Sequence, residues 1–168
     1  NRMMNIGIVL FTYNRPDRTG DLLESLTKDH ACANLELMVF CDYCEQNPAV
    51  SDEIFQIIRK YESRFSEVEF DLAAENRGLS KQIIYGVTAA FEKYDALVIL
   101  EDDLVMDKNA VTYFLNCLER YHGDDRIFSV SGYSPITNVV EPMLFLTSRL
   151  SPWGWATWKD KWLAVDWD

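Results

Sequence analysis

Ile6-Gly-Ile-Val-Leu-Phe-Thr-Tyr13 is an almost unbroken apolar run, closed by a turn at Asn14-Arg15-Pro16. A strand with one wet face alternates apolar and polar residues, whereas a run that is apolar at both parities suits a strand covered on both faces, as in a parallel sheet. Parallel strands need a crossover, and one follows. Asp17 is the predicted N-cap of a helix in which Leu22, Leu23 and Leu26 recur at helical spacing up to about Lys28.

The same unit repeats down the chain. Leu35–Cys41 predicts a second strand ending at Asp42, and Ser51 is expected to cap a helix through Ile54, Ile57, Ile58 and Tyr61. Val68–Leu72 reads as a short third strand, Leu79–Phe91 as a helix, and Ala96–Leu100 as a buried strand running into Glu101-Asp102-Asp103. Asn109–Tyr121 is helical again, and Ile127–Val130 suits a further strand. Such alternation predicts an α/β fold, a doubly wound and mostly parallel sheet flanked by helices, with right-handed connections. After Gly132 the pattern becomes loop-rich. Met143–Thr147 suits one antiparallel strand before a cluster of tryptophans, of which Trp158 and Trp162 stand at the spacing of one helix face.

At 168 residues and 48% hydrophobic composition the chain is expected to form one domain, residues 1–168, with a core of its own. Residues 1–104 carry the strand ends that suit a ligand and residues 105–168 the remainder; opening at Asn1 and closing among tryptophans, the chain reads as part of a longer one. The 16 basic against 27 acidic side chains leave a net charge of -11, which disfavours a general nucleic-acid binder. Four cysteines are too sparse for a disulfide scaffold, and a reducing, cytoplasmic setting is expected. Cys41-Asp42-Tyr43-Cys44 finishes a strand instead of opening a helix, so a structural cysteine pair is favoured over redox chemistry. No apolar run reaches the ~18 residues of a membrane span, which leaves any membrane association to regions outside this chain.

In doubly wound sheets ligands sit beyond the carboxyl ends of the strands. Those ends carry Thr12-Tyr13-Asn14-Arg15, Asp42, Asn76-Arg77-Gly78 and the acidic triplet. The set suits a nucleotide diphosphate held through a divalent metal. Adjacent carboxylates raise one another's pKa, and Mg²⁺ or Mn²⁺ bound by one or two of them plus substrate phosphates removes that cost. A solvated acidic loop capping the next helix, with Asp107 close by, is the other reading of the triplet. Arg15 and Arg77 can fork onto phosphate or pair with the acidic excess. Asp42 can bond a ribose or base, or serve as a turn cap, and Tyr13 can stack on a base or pack at an edge. His30 and His122 read as solvated, and no phosphate-cradling GxGxxG or GxxxxGK[ST] is present.

Taken in order, these motifs resemble those of family 2-type glycosyltransferases with the GT-A fold. Gly7 to Pro16 is similar to their opening strand and nucleotide-holding turn, Glu75-Asn-Arg-Gly-Leu-Ser80 to their Asn-x-Gly loop, and Leu100-Glu-Asp-Asp-Leu104 to their DxD-type metal motif. Glu-Asp-Asp-Leu, with Ser151-Pro-Trp-Gly-Trp-Ala-Thr-Trp158, is closer to the branch resembling the N-acetylglucosaminyltransferase I that starts complex N-glycans. The resemblance implies glycan biosynthesis from a nucleotide-diphosphate sugar donor, with Mn²⁺ or Mg²⁺, onto a saccharide or lipid-linked saccharide acceptor. Thr12, Tyr13 and Arg15 would meet the nucleoside and its phosphates, Asp42 the base, and Arg77 the base or phosphates. Glu101 and Asp102 would bond ribose or donor sugar, Asp103 would hold the metal, and Trp153, Gly154 and Trp155 would line the donor and acceptor pocket.

Inverting transfer also needs a carboxylate that takes the acceptor's proton. Asp160, Asp166 and Asp168 are the acids downstream, with Asp166 and Asp168 the better candidates and the base beyond the last residue as the remaining option. A non-catalytic or truncated sugar-nucleotide-binding domain is the main alternative. A phospho-acceptor receiver would need its acid pair on the first strand, and a nucleotidylyltransferase a Gly-rich basic opening loop.

Overall fold

The computed structural model describes residues 3–134 and 143–167. Along β1 (Ile6–Thr12), Ile8 and Leu10 face one way and Val9 and Phe11 the other, and all four are buried. Each parity feeds its own apolar cluster, so the sheet is a central layer with a core on either side. The other elements are α1 (Pro16–Leu26), β2 (Glu36–Cys41), α2 (Val50–Tyr61), β3 (Glu67–Leu72), α3 (Leu79–Ala90), β4 (Ala96–Glu101), α4 (Ala110–Arg120), β5 (Ser129–Ser131), β6 (Trp155–Trp158) and α5 (Lys159–Leu163).

The strand order is β3-β2-β1-β4-β6-β5. Pairing is parallel from β3 through β4, with Leu10 beside both Val39 and Leu100, and antiparallel where β6 joins β4 and β5. The expected α/β, doubly wound, mostly parallel sheet is therefore what the chain forms. Leu22, Leu26, Ile54, Ile58, Phe114 and Leu118 bring α1, α2 and α4 onto one face. Val87 and Trp162 bring α3 and α5 onto the other. At Gly86 a Cβ would stand 2.6 Å from the Phe11 ring, so the missing side chain is what lets α3 lie this close to β1.

Four local expectations are corrected. Asp17 does not cap α1: the helix starts at Pro16, whose fixed φ suits the first helical position, and Arg15 stands at the cap without a side-chain bond to the helix backbone. Ser51 lies inside α2 and its hydroxyl donates back to the carbonyl of Pro48 at 3.1 Å. Met143–Thr147 is not a strand; those residues are exposed, and the free edge of β4 is taken by β6. Trp158 and Trp162 do not share a helix face, because the strand-to-helix break at Lys159 falls between them and sends them to cores on opposite sides of the sheet. Their indole N–H groups donate to the carbonyl of Leu118 at 3.1 Å and to Thr88 Oγ1 at 3.0 Å.

Candidate functional site

The hydrogen-bond ladder continues one residue past the strands. Asp42 N–H and Asp102 N–H donate to the carbonyls of Thr12 and Phe11, at 3.0 and 3.1 Å, so an acid stands on either side of the end of β1. Within the triplet Glu101 is half-buried, Asp102 is 3% exposed and the Asp103 side chain 45% exposed. Arg15, from the turn between β1 and α1, donates through Nη2 to Asp102 Oδ1 at 2.6 Å and lies with Nη1 3.5 Å from Asp103 Oδ2. The first-strand turn and the triplet thus share one crevice, as the strand-end reading requires.

Their charges do not balance. Burial pushes the Glu101 carboxyl above its ordinary value, with Asp103 and Asp102 adding to the effect against Arg15. Burial raises Asp102 as well, although Arg15 pulls it down by charge and hydrogen bond. Asp102 Oδ2, just past the end of β4, and Thr12 Oγ1, at the end of β1, are buried without a hydrogen-bond partner. One arginine for three carboxylates, with an orphaned oxygen beneath, is a donor set that a divalent cation and its ligands fit. The tightest carboxylate group among the described residues is elsewhere: Glu36, Glu67 and Glu69 lie within 4.8 Å of one another at the start of β2 and on β3. Lys93 Nζ fills that cluster, at 2.5, 3.9 and 3.0 Å from the three acids.

On the far side of β1 the Asp42 carboxylate clamps a loop. Oδ1 accepts the N–H groups of Tyr43 at 3.0 Å and Arg77 at 2.9 Å, and Oδ2 that of Gly78 at 3.0 Å. Gly78, at φ 77°, takes the left-handed turn that glycine tolerates best and opens α3. Arg77 donates through Nη1 to Gln82 Oε1 at 2.9 Å, and its guanidinium lies 3.8 Å from the centre of the Tyr85 ring. Gln82 is 2% exposed, with an unpartnered Nε2. Nothing in the sequence marks Gln82 or Tyr85, which read as ordinary helix residues. Tyr13 is half-buried, its hydroxyl 3.4 Å from Gln46 Oε1. All four cysteines are buried and free, and burial raises the Cys41 thiol and pushes Cys32 to about 12, consistent with packing residues.

On the β4 side the Trp-Gly-Trp motif divides. Trp155 is 6% exposed inside β6 and packs in the core with Trp162. Trp153 is 54% exposed and meets the Tyr133 ring at 4.7 Å. Gly154 is buried, and its carbonyl accepts the Gly132 N–H at 2.8 Å. Asp160 falls in the first turn of α5, which follows the β6 end that pairs with Ala96, at the opposite end of β4 from the triplet. Asp166 is exposed, beside Trp167, whose ring lies 4.0 Å from that of Trp162. Asp168 lies outside the described residues.

The sequence pattern of the family described as Glycosyl transferase family 2 matches residues 7–156. No curated protein matches the chain. Among solved structures the chain is similar to S. aureus TarS, with a TM-score of 0.56 and 20% identity over 71% of this chain and 20% of that one. It is similar also to the mannosyltransferase PcManGT from Pyrobaculum calidifontis in complex with GDP-Man and Mn²⁺, with a TM-score of 0.59 and 13% identity over 78% of this chain and 36% of that one. A third likeness is to 4-diphosphocytidyl-2C-methyl-D-erythritol synthase from Anaerococcus prevotii, with a TM-score of 0.52 and 11% identity over 96% and 77%. At these identities the likenesses speak for the GT-A-like fold. The chain spans about a fifth of the first of these proteins and about a third of the second.

Proposed function

The chain belongs to glycosyl transferase family 2, and from that premise we propose that its crevice binds a nucleotide-diphosphate sugar together with Mn²⁺ or Mg²⁺ and passes the sugar, with inversion, to a saccharide or lipid-linked saccharide. The observation that carries the proposal is Arg15 bridging to Asp102 and Asp103 over two orphaned oxygens, Thr12 Oγ1 and Asp102 Oδ2. The mannosyltransferase solved with GDP-Man and Mn²⁺ supports the same donor chemistry. In this reading Thr12, Tyr13 and Arg15 meet the nucleoside and phosphates. Asp42 keeps lone-pair capacity beyond its three backbone bonds for a base N–H, and Arg77 closes over base or phosphate. Glu101 and Asp102 address ribose or donor sugar.

Asp103, the exposed member of the triplet, would hold the ion, which when bound offsets charge on the departing nucleoside diphosphate. Arg15 supplies a second, fixed positive charge at the same place. The acceptor oxygen attacks the anomeric carbon opposite the nucleotide, the bond to phosphate breaks, and the acceptor's proton passes to a carboxylate. Asp166 or Asp168 is assigned that last role. The resemblance of Leu100–Leu104 and Ser151–Trp158 to the N-acetylglucosaminyltransferase I-like branch favours a hexosyl or N-acetylhexosaminyl group, in glycan biosynthesis. No described helix is long and apolar enough to cross a membrane; a cytoplasmic setting, with any membrane contact made by other regions, is part of the proposal.

A sugar-nucleotide-binding domain without turnover is the second reading, since of the three acids considered as base Asp160 stands at the far end of β4 from the triplet. A thermal-shift screen of UDP-, GDP- and CDP-sugars with Mn²⁺, followed by product analysis for the best stabiliser, separates the readings. Stabilisation with transfer or donor hydrolysis supports the enzyme, stabilisation alone the binding domain, and no stabilisation by any sugar nucleotide contradicts both.

A further inference from the structure

Among the described residues β3 is an outer strand of the sheet, so the N–H and C=O groups along one of its sides meet no neighbouring strand. Its side chains alternate in kind. Val68, Phe70 and Leu72 stand on one face, where the Phe70 ring meets that of Phe55 from α2 at 5.2 Å. Glu67, Glu69 and Asp71 stand on the other, beside Glu36, Met38 and Phe40 of β2. Gly86 seats α3 against Phe11 and Phe40, over β1 and β2, and Glu67 and Glu69 at the edge stay exposed.

Charge on this face is not balanced. Four carboxylates, those of Glu36, Glu67, Glu69 and Asp71, share one ammonium, Lys93 Nζ, which serves the first three. Asp71 pairs with no cation among the described residues, and its Oδ1 is buried without a hydrogen-bond partner. The same residue lines a groove of about 210 Å³ along α3, with apolar Met38, Phe40 and Ala89 and with Glu69 and Tyr85. A lysine or arginine side chain suits that lining, its methylene stem on the apolar residues and its head at the carboxylates. Charges on an edge strand ordinarily guard against stray pairing, and these guard against one kind of strand only. A second β3 would set carboxylate against carboxylate, and β5, the other outer strand, offers Ser129-Val130-Ser131 with no base. A basic strand meets attraction where a copy of this chain meets repulsion.

We infer that the free edge of β3 docks an extended basic segment of another polypeptide. The segment joins the sheet as a further strand, with Lys or Arg at alternate positions facing Glu67, Glu69 and Asp71 and with apolar residues between them prolonging the row of Val68, Phe70 and Leu72. Backbone pairing supplies the affinity and the alternate side chains the selectivity. The docking edge does not depend on what the crevice binds.

Anisotropy of a labelled, capped seven-residue peptide with lysine at alternate positions and valine and threonine between them tests the docking, against an isomer whose lysines are consecutive. At about 150 mM salt, charges more than about 8 Å apart are largely screened, so the net charge of the chain favours neither peptide. The alternating peptide is expected to bind saturably, at least five-fold tighter than its isomer, and to slow hydrogen–deuterium exchange across residues 67–72. Asp71→Asn should weaken it at least five-fold. Glu67→Gln, at an exposed position, should weaken it at least two-fold and keeps the test decisive if the first variant does not fold. Equal binding of the two peptides means attraction to net charge alone and overturns the inference. So do a lack of saturable binding, unchanged exchange over residues 67–72, or a folded variant that binds as wild type.

Discussion

Replacing Arg15 by alanine removes the only positive charge that faces the triplet among the described residues. Asp102, 3% exposed, then keeps a buried carboxylate with no counter-charge. Breaking a fully buried pair in this way costs about 3–5 kcal/mol. The Arg15 side chain is 49% exposed and solvent screens its share, which lowers the expected loss to about 2 kcal/mol. A divalent ion in the crevice supplies the missing charge, and at a hundred times its dissociation constant it returns about 2.7 kcal/mol. Urea unfolding in EDTA and in Mn²⁺ therefore separates two effects. Arg15→Ala should be about 2 kcal/mol less stable than wild type in EDTA, and Mn²⁺ should stabilise the variant more than it does wild type. A variant as stable as wild type in EDTA, or one that Mn²⁺ leaves unchanged, would refute the counter-charge reasoning.

Asp103→Ala should abolish the Mn²⁺ dependence of nucleotide binding in calorimetry while leaving stability within about 1 kcal/mol of wild type, as for an exposed functional acid. Arg77→Ala should raise the UDP dissociation constant, since it removes the guanidinium that Tyr85 and Gln82 hold beside the loop; an unchanged value removes Arg77 from the site. Gly86→Ala should destabilise by about 1–3 kcal/mol in urea, because the new methyl meets Phe11 at 2.6 Å and Phe40 at 2.9 Å and outweighs the better helix propensity. The hydrogen bonds from Lys93 and Tyr94 hold the Glu36 carboxyl below its ordinary range. A carboxyl depressed in the folded state stabilises above its unfolded value of about 4.3, and that contribution fades as pH falls through the folded value. Glu36→Gln should thus cost about 1 kcal/mol at pH 7, after allowance for the half-exposed Lys93, and the gap to wild type should narrow as pH falls below the unfolded value and through the depressed folded one. A gap that does not narrow at all on acidification would mean that packing, not charge, accounts for the loss.

The sheet was legible because its central strands β1 and β4 are buried on both faces and so carry Val, Ile, Leu and Phe at both parities; Ile6–Thr12 and Ala96–Leu100 admit little else. The crevice followed from topology, which brings Arg15 to the triplet without any need to foresee the bond. What stayed hidden depends on partners distant in the chain. Asp42 is spent largely on the backbone of residues 77 and 78, which only the packing of the β3–α3 loop decides. Tyr133 meets the ring of Trp153, twenty residues on in the chain, which no local pattern foretells. Trp158 and Trp162 misled because four-residue spacing implies one face only inside one helix. Met143–Thr147 has strand-forming residues, but β6 already holds the edge they would pair with.

The most direct measurement is calorimetry of UDP and GDP on the wild-type domain, with Mn²⁺ and with EDTA. Saturable binding of one nucleoside diphosphate, at least ten-fold tighter with Mn²⁺ than without, is the predicted result. Equal affinity in both conditions, or no binding of either nucleotide, would contradict the crevice as a metal-assisted sugar-nucleotide site.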